Sequence, residues 1–127
     1  MRRGDIGRAE RLVEQVAGVV ATATGAHGWL WRLRLLAARA EIRVARDEWQ
    51  TAEQLASEVV ERAGQRGRGT SQASGLLTRA RARQARGETR QALDDLRLAL
   101  KVARGTGDPA LFCTSLARSW PWTAITR

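Results

Sequence analysis

The sequence predicts an all-α fold, an antiparallel helix-pair solenoid of about six helices. Glycine clusters divide the chain at regular intervals, apolar residues between them recur at helical spacing, and similar segments recur about 40 residues apart. No segment alternates apolar and polar residues with the two-residue period of a strand. We expect helices at residues 5–24, 29–46, 49–63, 71–86, 89–104 and 109–118, and an irregular tail at 119–127.

The helix boundaries are predicted from glycine and capping residues. Glycines lie at 25–28, 64–69 and 105–107, and glycine just past a helix end accepts the left-handed conformation of a C-cap. Asp108 and Pro109 follow the third cluster, where Asp suits an N-cap and Pro the first helical position. These signals set the ends of the predicted helices.

Each of these helices has an apolar face. The helix at 29–46 is apolar on two sides, which predicts that it packs between neighbouring helices. The stripes of the first, third and fifth helices are Ala9, Leu12, Val13, Val16, Val20 and Ala23; Ala52, Ala56, Val59, Val60 and Ala63; and Ala92, Leu93, Leu96, Ala99, Leu100 and Ala103.

A short motif precedes three of the helices. Its copies begin at Arg3-Gly4-Asp5, Arg46-Asp47-Glu48 and Arg86-Gly87-Glu88, and each has an alanine four residues after the third residue. We expect every copy to form the turn before a helix. With small residues at Ala40 and Ala80 in the preceding helices, the pattern resembles the tetratricopeptide repeat family.

The resemblance implies stacked helix pairs that bind other proteins. The period is longer than the family's 34 residues, and Arg43 and Arg83 stand where that family buries an aromatic side chain. The pattern is similar to the long repeats of bacterial LuxR/MalT-type regulators, which implies a non-enzymatic interaction or regulatory module in a bacterial signalling protein or transcriptional regulator. A HEAT-like repeat is the structural alternative. We expect one domain over 1–127, a fragment of a longer array.

Two arginine stripes are the first candidate partner-binding surface. The helices at 29–46 and 71–86 carry them at the same register, so stacked repeats would align them into one ridge. The ridge predicts binding of an acidic peptide, a phosphate group or nucleic acid, or else a solvent face paired with Glu53, Glu58, Glu61 and Asp95. The first arginine stripe is Arg32, Arg39, Arg43 and Arg46; the second is Arg79, Arg83 and Arg86.

The family resemblance implies a different binding surface, an inner groove of mixed charge. The groove would suit a protein or peptide partner. Its residues would be Arg34, Glu41, Arg81 and Gln84. The sequence leaves both surfaces open, and a second copy of the chain at the open repeat ends is a further candidate partner.

The net charge of +9 raises nucleic acid as the alternative partner. Residues 62–90 hold eight arginines against Glu88 alone, and Arg66-Gly67-Arg68-Gly69 resembles a short RGG-like segment. The same residues also suit a basic loop between two helices. Because the chain has one Phe and no Tyr, a base-stacking platform is disfavoured.

Several functions are excluded by composition. The single Cys113 and single His27 cannot supply a zinc site, and no glycine loop has the Lys-Ser/Thr of a phosphate loop. Since Asp94 and Asp95 are adjacent on a helix, their carboxylates diverge. No apolar run is long enough to cross a membrane. We therefore expect no enzyme, catalytic residue, metal or cofactor, no membrane association, and a cytoplasmic location.

Overall fold

A computed structural model describes residues 3–21 and 28–106, and these residues form five α-helices without a strand. The prediction of an all-α fold of antiparallel helix pairs is confirmed. The predicted helix at 109–118 and the tail at 119–127 lie outside the described residues, as do His27 and Cys113. The helices are α1 (Arg3–Ala21), α2 (Gly28–Ala45), α3 (Trp49–Gln65), α4 (Gly69–Ala85) and α5 (Thr89–Gly105).

Three turns of the same geometry join α2 to α3, α3 to α4 and α4 to α5. Their central residues have positive φ: 60° at Asp47, 65° at Gly67 and 81° at Gly87. The next residue donates its backbone N–H to a carbonyl five residues earlier, over 2.8–2.9 Å. This is the Schellman arrangement, in which a left-handed residue ends one helix and satisfies its last carbonyls. It recurs every 20 residues, half of the sequence repeat.

Two sequence expectations are wrong at the turns. The glycine cluster at 64–69 was expected to interrupt the helices throughout, but Gly64 continues α3 and Gly69 begins α4. Only residues 66–68 form the turn, so the RGG-like segment is an interhelical connection. In the first copy of the motif, Arg3-Gly4-Asp5 belongs to α1 and forms no turn.

Helix α4 is the centre of the packed region. It lies between α3 and α5 and also touches α2, and its buried residues cover most of the helix circumference. Alanine supplies much of the core, which lets the helix axes approach closely. At Gly75 α4 approaches α3 closely, since an added Cβ would lie 2.9 Å from Cγ1 of Val59.

The buried face of α5 differs from the predicted one at two neighbouring positions. Ala92, Ala99 and Ala103 are buried as expected, but Leu93 is 38% exposed. Asp95 is buried instead, with 3% exposed. Helix α5 is therefore rotated so that a carboxylate, and not a leucine, faces the helices beside it.

Candidate functional site

The buried Asp95 of α5 is held by two arginines of α4. Arg79 donates from Nε to Oδ2 over 3.0 Å and from Nη2 to Oδ1 over 2.8 Å, so the pair is bidentate. Arg83 donates from Nη1 to Oδ2 over 2.9 Å. Both carboxylate oxygens of a buried acid are thus satisfied, as its burial requires.

Helix α3 extends this cluster on the other side of α4. Arg83 Nε donates to Glu53 over 3.2 Å, and Arg86 Nη1 donates to the second oxygen of Glu53. Arg79 Nη1 also donates to the Ser57 hydroxyl over 3.3 Å. We call Glu53, Ser57, Arg79, Arg83, Arg86 and Asp95 the arginine network. It joins α3, α4 and α5 through side chains.

The second arginine stripe is therefore paired within the chain. Three guanidinium charges meet the carboxylates of Glu53 and Asp95, and Arg86 also lies 3.5 Å from Glu88. Of the acidic partners suggested by the sequence, Glu53 and Asp95 are confirmed. Glu58 pairs instead with Arg62 on its own helix. The donors of this stripe are directed into the fold.

Three arginines of the first stripe are paired as well, but in solvent. Arg39 contacts Glu14 over 3.3 Å, Arg43 contacts Glu48 over 2.7 Å, and Arg46 contacts Glu10. The hydrogen bond with Glu48 is the main cause that raises the pKa of the Arg43 guanidinium. These side chains are about two-fifths exposed, so water and salt screen their pairs.

Arg32, the fourth member of the first stripe, lies elsewhere. It lines a pocket of about 260 Å³ beside the turn between α3 and α4, and within residues 3–21 and 28–106 it has no ion pair. The guanidiniums of Arg66 and Arg68 lie 4.8 and 6.0 Å from the ring centroid of Trp29 at the same place. We call this the basic pocket; it is lined by Trp29, Arg32, Leu33, Arg62, Gln65 and Arg66.

The four residues of the predicted inner groove differ in exposure. Arg34 and Glu41 are exposed, and Arg34 stacks on Trp31 with 5.3 Å to the ring centroid. Gln84 is buried. Burial lowers the pKa of the Arg81 guanidinium, an effect that Glu41 opposes. Among the described residues, Arg81 Nε has no hydrogen-bond partner. The predicted groove therefore has exposed charged side chains on α2 and less accessible side chains on α4.

Comparison with known proteins leaves the family open. No family model, curated protein or solved structure matches the chain. Over the described part of the chain, no group of His, Cys, Asp and Glu side chains is arranged to hold a metal ion. Nor is any described helix long and apolar enough to cross a membrane.

Helix α1 presents an apolar surface to solvent. Leu12 is 60% exposed, Val16 38% and Val19 71%, and their spacing places them on one face of the helix. The adjacent face carries the buried Ile6 and Val20, and α1 packs on α2. We call Leu12, Val16 and Val19 the α1 stripe.

The basic pocket and the α1 stripe were not among the predicted sites. Leu12 and Val16 were assigned to the buried face of their helix, and Trp29 to an apolar face of α2. The one sequence signal near the pocket is Arg68, which occupies the position where the sister turns carry Glu48 and Glu88. It marks the turn beside the pocket and not the pocket itself.

Proposed function

We propose that the chain is a non-enzymatic protein-interaction module that binds an amphipathic helix on the α1 stripe. The observation that carries this proposal is an apolar helix face left open beside an otherwise packed array. Apolar patches at a surface are typical of sites where another protein binds. Affinity would come from burial of leucine and valine side chains.

The sequence repeat indicates what kind of helix fits there. At the 43-residue offset, Leu12 corresponds to Leu55 and Val16 to Val59. Both counterparts on α3 pack against Leu33 and Leu36 of α2. The α1 stripe therefore has the same residue types that α3 uses to pack against α2. A helix with the apolar pattern of α2 would bury the α1 stripe in the same way.

A peptide with the sequence of α2, residues 28–45, tests the proposal. We expect the labelled peptide to bind the full chain in fluorescence anisotropy and to lose binding in the double variant Leu12→Glu, Val16→Glu. Leu98→Glu on α5 is the matched control, because Leu98 is also exposed, at 43%. Absence of binding to the parent chain, or equal loss in the control, would contradict the proposal.

The resemblance to long bacterial repeats supports a place in a signalling protein or transcriptional regulator that works in the cytoplasm. In such a protein the helix bound by the α1 stripe would belong to another repeat, another domain or a second copy of the chain. Sequencing the flanking coding region tests this: an in-frame helix-turn-helix or ATPase domain is the expected result. Flanking frames unrelated to regulation would contradict it.

Nucleic-acid binding is the second candidate. Arg32 and Arg66 of the basic pocket, which have no ion pair within the described part of the chain, favour it. Because neutralised phosphates release counterions, affinity for any nucleic acid would fall steeply and linearly with log salt. A titration of unrelated DNA and RNA at low and moderate salt separates the two proposals. Binding that is measurable at moderate salt and falls steeply with log salt would favour the nucleic-acid candidate. No binding at moderate salt would favour the protein-interaction module.

A further inference from the structure

The geometry points to a binding site for a phosphoryl group in the basic pocket, distinct from the α1 stripe. The pocket of about 260 Å³ lies between the first turn of α2 and the end of α3. Sites for drug-sized ligands span about 300–1,000 Å³. The basic pocket therefore suits a single charged group and not a large organic molecule.

The charge of the pocket favours an anion with more than one negative charge. Arg32 and Arg66 have no ion pair among the described residues, and Arg62 pairs only with the exposed Glu58 on its own helix. This contrasts with Arg79 and Arg83, whose donors are taken up by Asp95 and Glu53. The excess of guanidinium charge matches a phosphate dianion better than a carboxylate.

Trp29 holds the Arg66 guanidinium in an orientation that suits phosphate binding. Its ring packs against the core of α2 and α3, and the Arg66 guanidinium lies over it at 4.8 Å. A guanidinium stacked on an aromatic ring keeps its N–H donors in its own plane, where they can reach the oxygens of a phosphate in pairs. The stacking thus positions the donors before an anion arrives.

The turn next to the pocket lacks the negative charge that its sister turns carry. The N-cap residues of α3, α4 and α5 are Glu48, Arg68 and Glu88. A helix N-terminus is electropositive, so a glutamate there is favourable and an arginine is not. An anion bound beside Arg68 would supply at α4 the charge that glutamate supplies at α3 and α5.

Titration with inorganic phosphate, followed by ¹H–¹⁵N NMR, tests the inference. We expect saturable shifts of the Trp29 indole N–H and the Arg66 side-chain Nε–H, which sodium chloride at equal ionic strength does not produce. The Arg79 Nε–H, already bonded to Asp95, should not move. Uniform shifts over all arginines, or no shift at Trp29, would overturn the proposal.

Two variants and one matched control make the test specific. Arg66→Gln and Arg68→Glu should each weaken phosphate binding by at least about tenfold, because each removes a charged donor. Arg68→Glu should also leave the melting temperature unchanged or higher, since the sister turns carry glutamate. Arg90→Gln removes an exposed charge from α5 and should leave binding unchanged. Equal weakening in all three variants would overturn the site.

The source of the phosphoryl group is distinguished by two further probes. Saturation by a phosphoserine peptide at lower concentration than by inorganic phosphate would support a site for peptide-borne phosphate. A single-stranded oligonucleotide that binds equally well to the parent, Arg66→Gln and Arg90→Gln proteins would show diffuse attraction and overturn the pocket. The α1 stripe variants should bind phosphate normally, so this test is independent of the proposed function.

Discussion

The two arginine stripes lie 40 residues apart in corresponding helices, yet their environments differ. In α2, Arg39, Arg43 and Arg46 pair with separate carboxylates in solvent. In α4, Arg79 and Arg83 share one buried carboxylate, and their side chains are only 17% and 21% exposed. The same sequence pattern is a solvated surface in α2 and, at Arg79 and Arg83, a largely buried cluster in α4.

Part of the pairing is itself repeated. Arg46 pairs with Glu10 as Arg86 pairs with Glu53, and Glu10 and Glu53 are separated by the 43-residue offset. The contrast arises at Asp95, whose counterpart 40 residues earlier is Leu55. Two arginines of α4 face a carboxylate on α5, whereas α3 has a leucine at the corresponding position. This one difference accounts for the buried pairing in α4 and the solvent-exposed pairs in α2.

Replacement of Asp95 by leucine, the residue at the corresponding position 55, should cause the largest loss of stability. Two largely buried guanidiniums would lose their shared partner, which costs about 3–5 kcal/mol when a buried pair is broken. The corresponding test of the first stripe, Glu14→Leu, should cost less than about 1 kcal/mol, because that pair is exposed. Urea unfolding of both variants measures the difference, and equal losses would contradict the contrast.

Truncation of Val59 and of Val16 should change the free energy of unfolding by different amounts, and this difference should be smaller than the one between Asp95→Leu and Glu14→Leu. Val59 is 1% exposed and packs between α2 and α4, so Val59→Ala should cost about 2 kcal/mol. Its repeat counterpart Val16 is open to solvent, and Val16→Ala should cost under about 0.5 kcal/mol. Thermal unfolding of the two variants compares them. A loss at Val16 as large as at Val59 would mean that the α1 stripe is already covered.

The smallest effect is expected at the turns. Asp47 is the one residue other than glycine with positive φ among the described residues, while Gly67 and Gly87 hold the sister positions. Asp47→Gly should stabilise the chain by up to about 1 kcal/mol, because glycine avoids the steric cost of the left-handed region. Gly87→Asp is the reverse change and should destabilise by a similar amount. Calorimetry that shows the opposite signs would contradict the equivalence of the turns.

The helices could be predicted because their signals are local. Apolar spacing, the Asp47-Glu48 motif and the glycines Gly67 and Gly87 specify where α3, α4 and α5 begin and end to within two residues. The burial of Asp95 in place of Leu93 could not be predicted from apolar spacing, because the spacing favours the leucine. That choice depends on arginines of α4 that lie 12 and 16 residues earlier.

The binding sites were harder to predict than the helices. The second stripe could be found from its spacing, but its pairing depends on acids contributed by two other helices. The basic pocket combines Trp29 with Arg62 and Arg66, more than 30 residues away, and no local pattern joins them. The α1 stripe has the same pattern as the buried face of α3, so only packing shows that it is open.

Hydrogen exchange of the arginine side-chain Nε–H groups, observed by ¹⁵N NMR on the unmodified chain, tests the contrast between the stripes most directly. Bonded and shielded donors exchange slowly, whereas donors in solvent exchange fast. We expect slow exchange at Arg79 and Arg83, whose Nε atoms donate to Asp95 and Glu53, and fast exchange at Arg39 and Arg43. Equal rates at all four arginines would contradict the claim that Arg79 and Arg83 belong to the interior and that Arg39 and Arg43 do not.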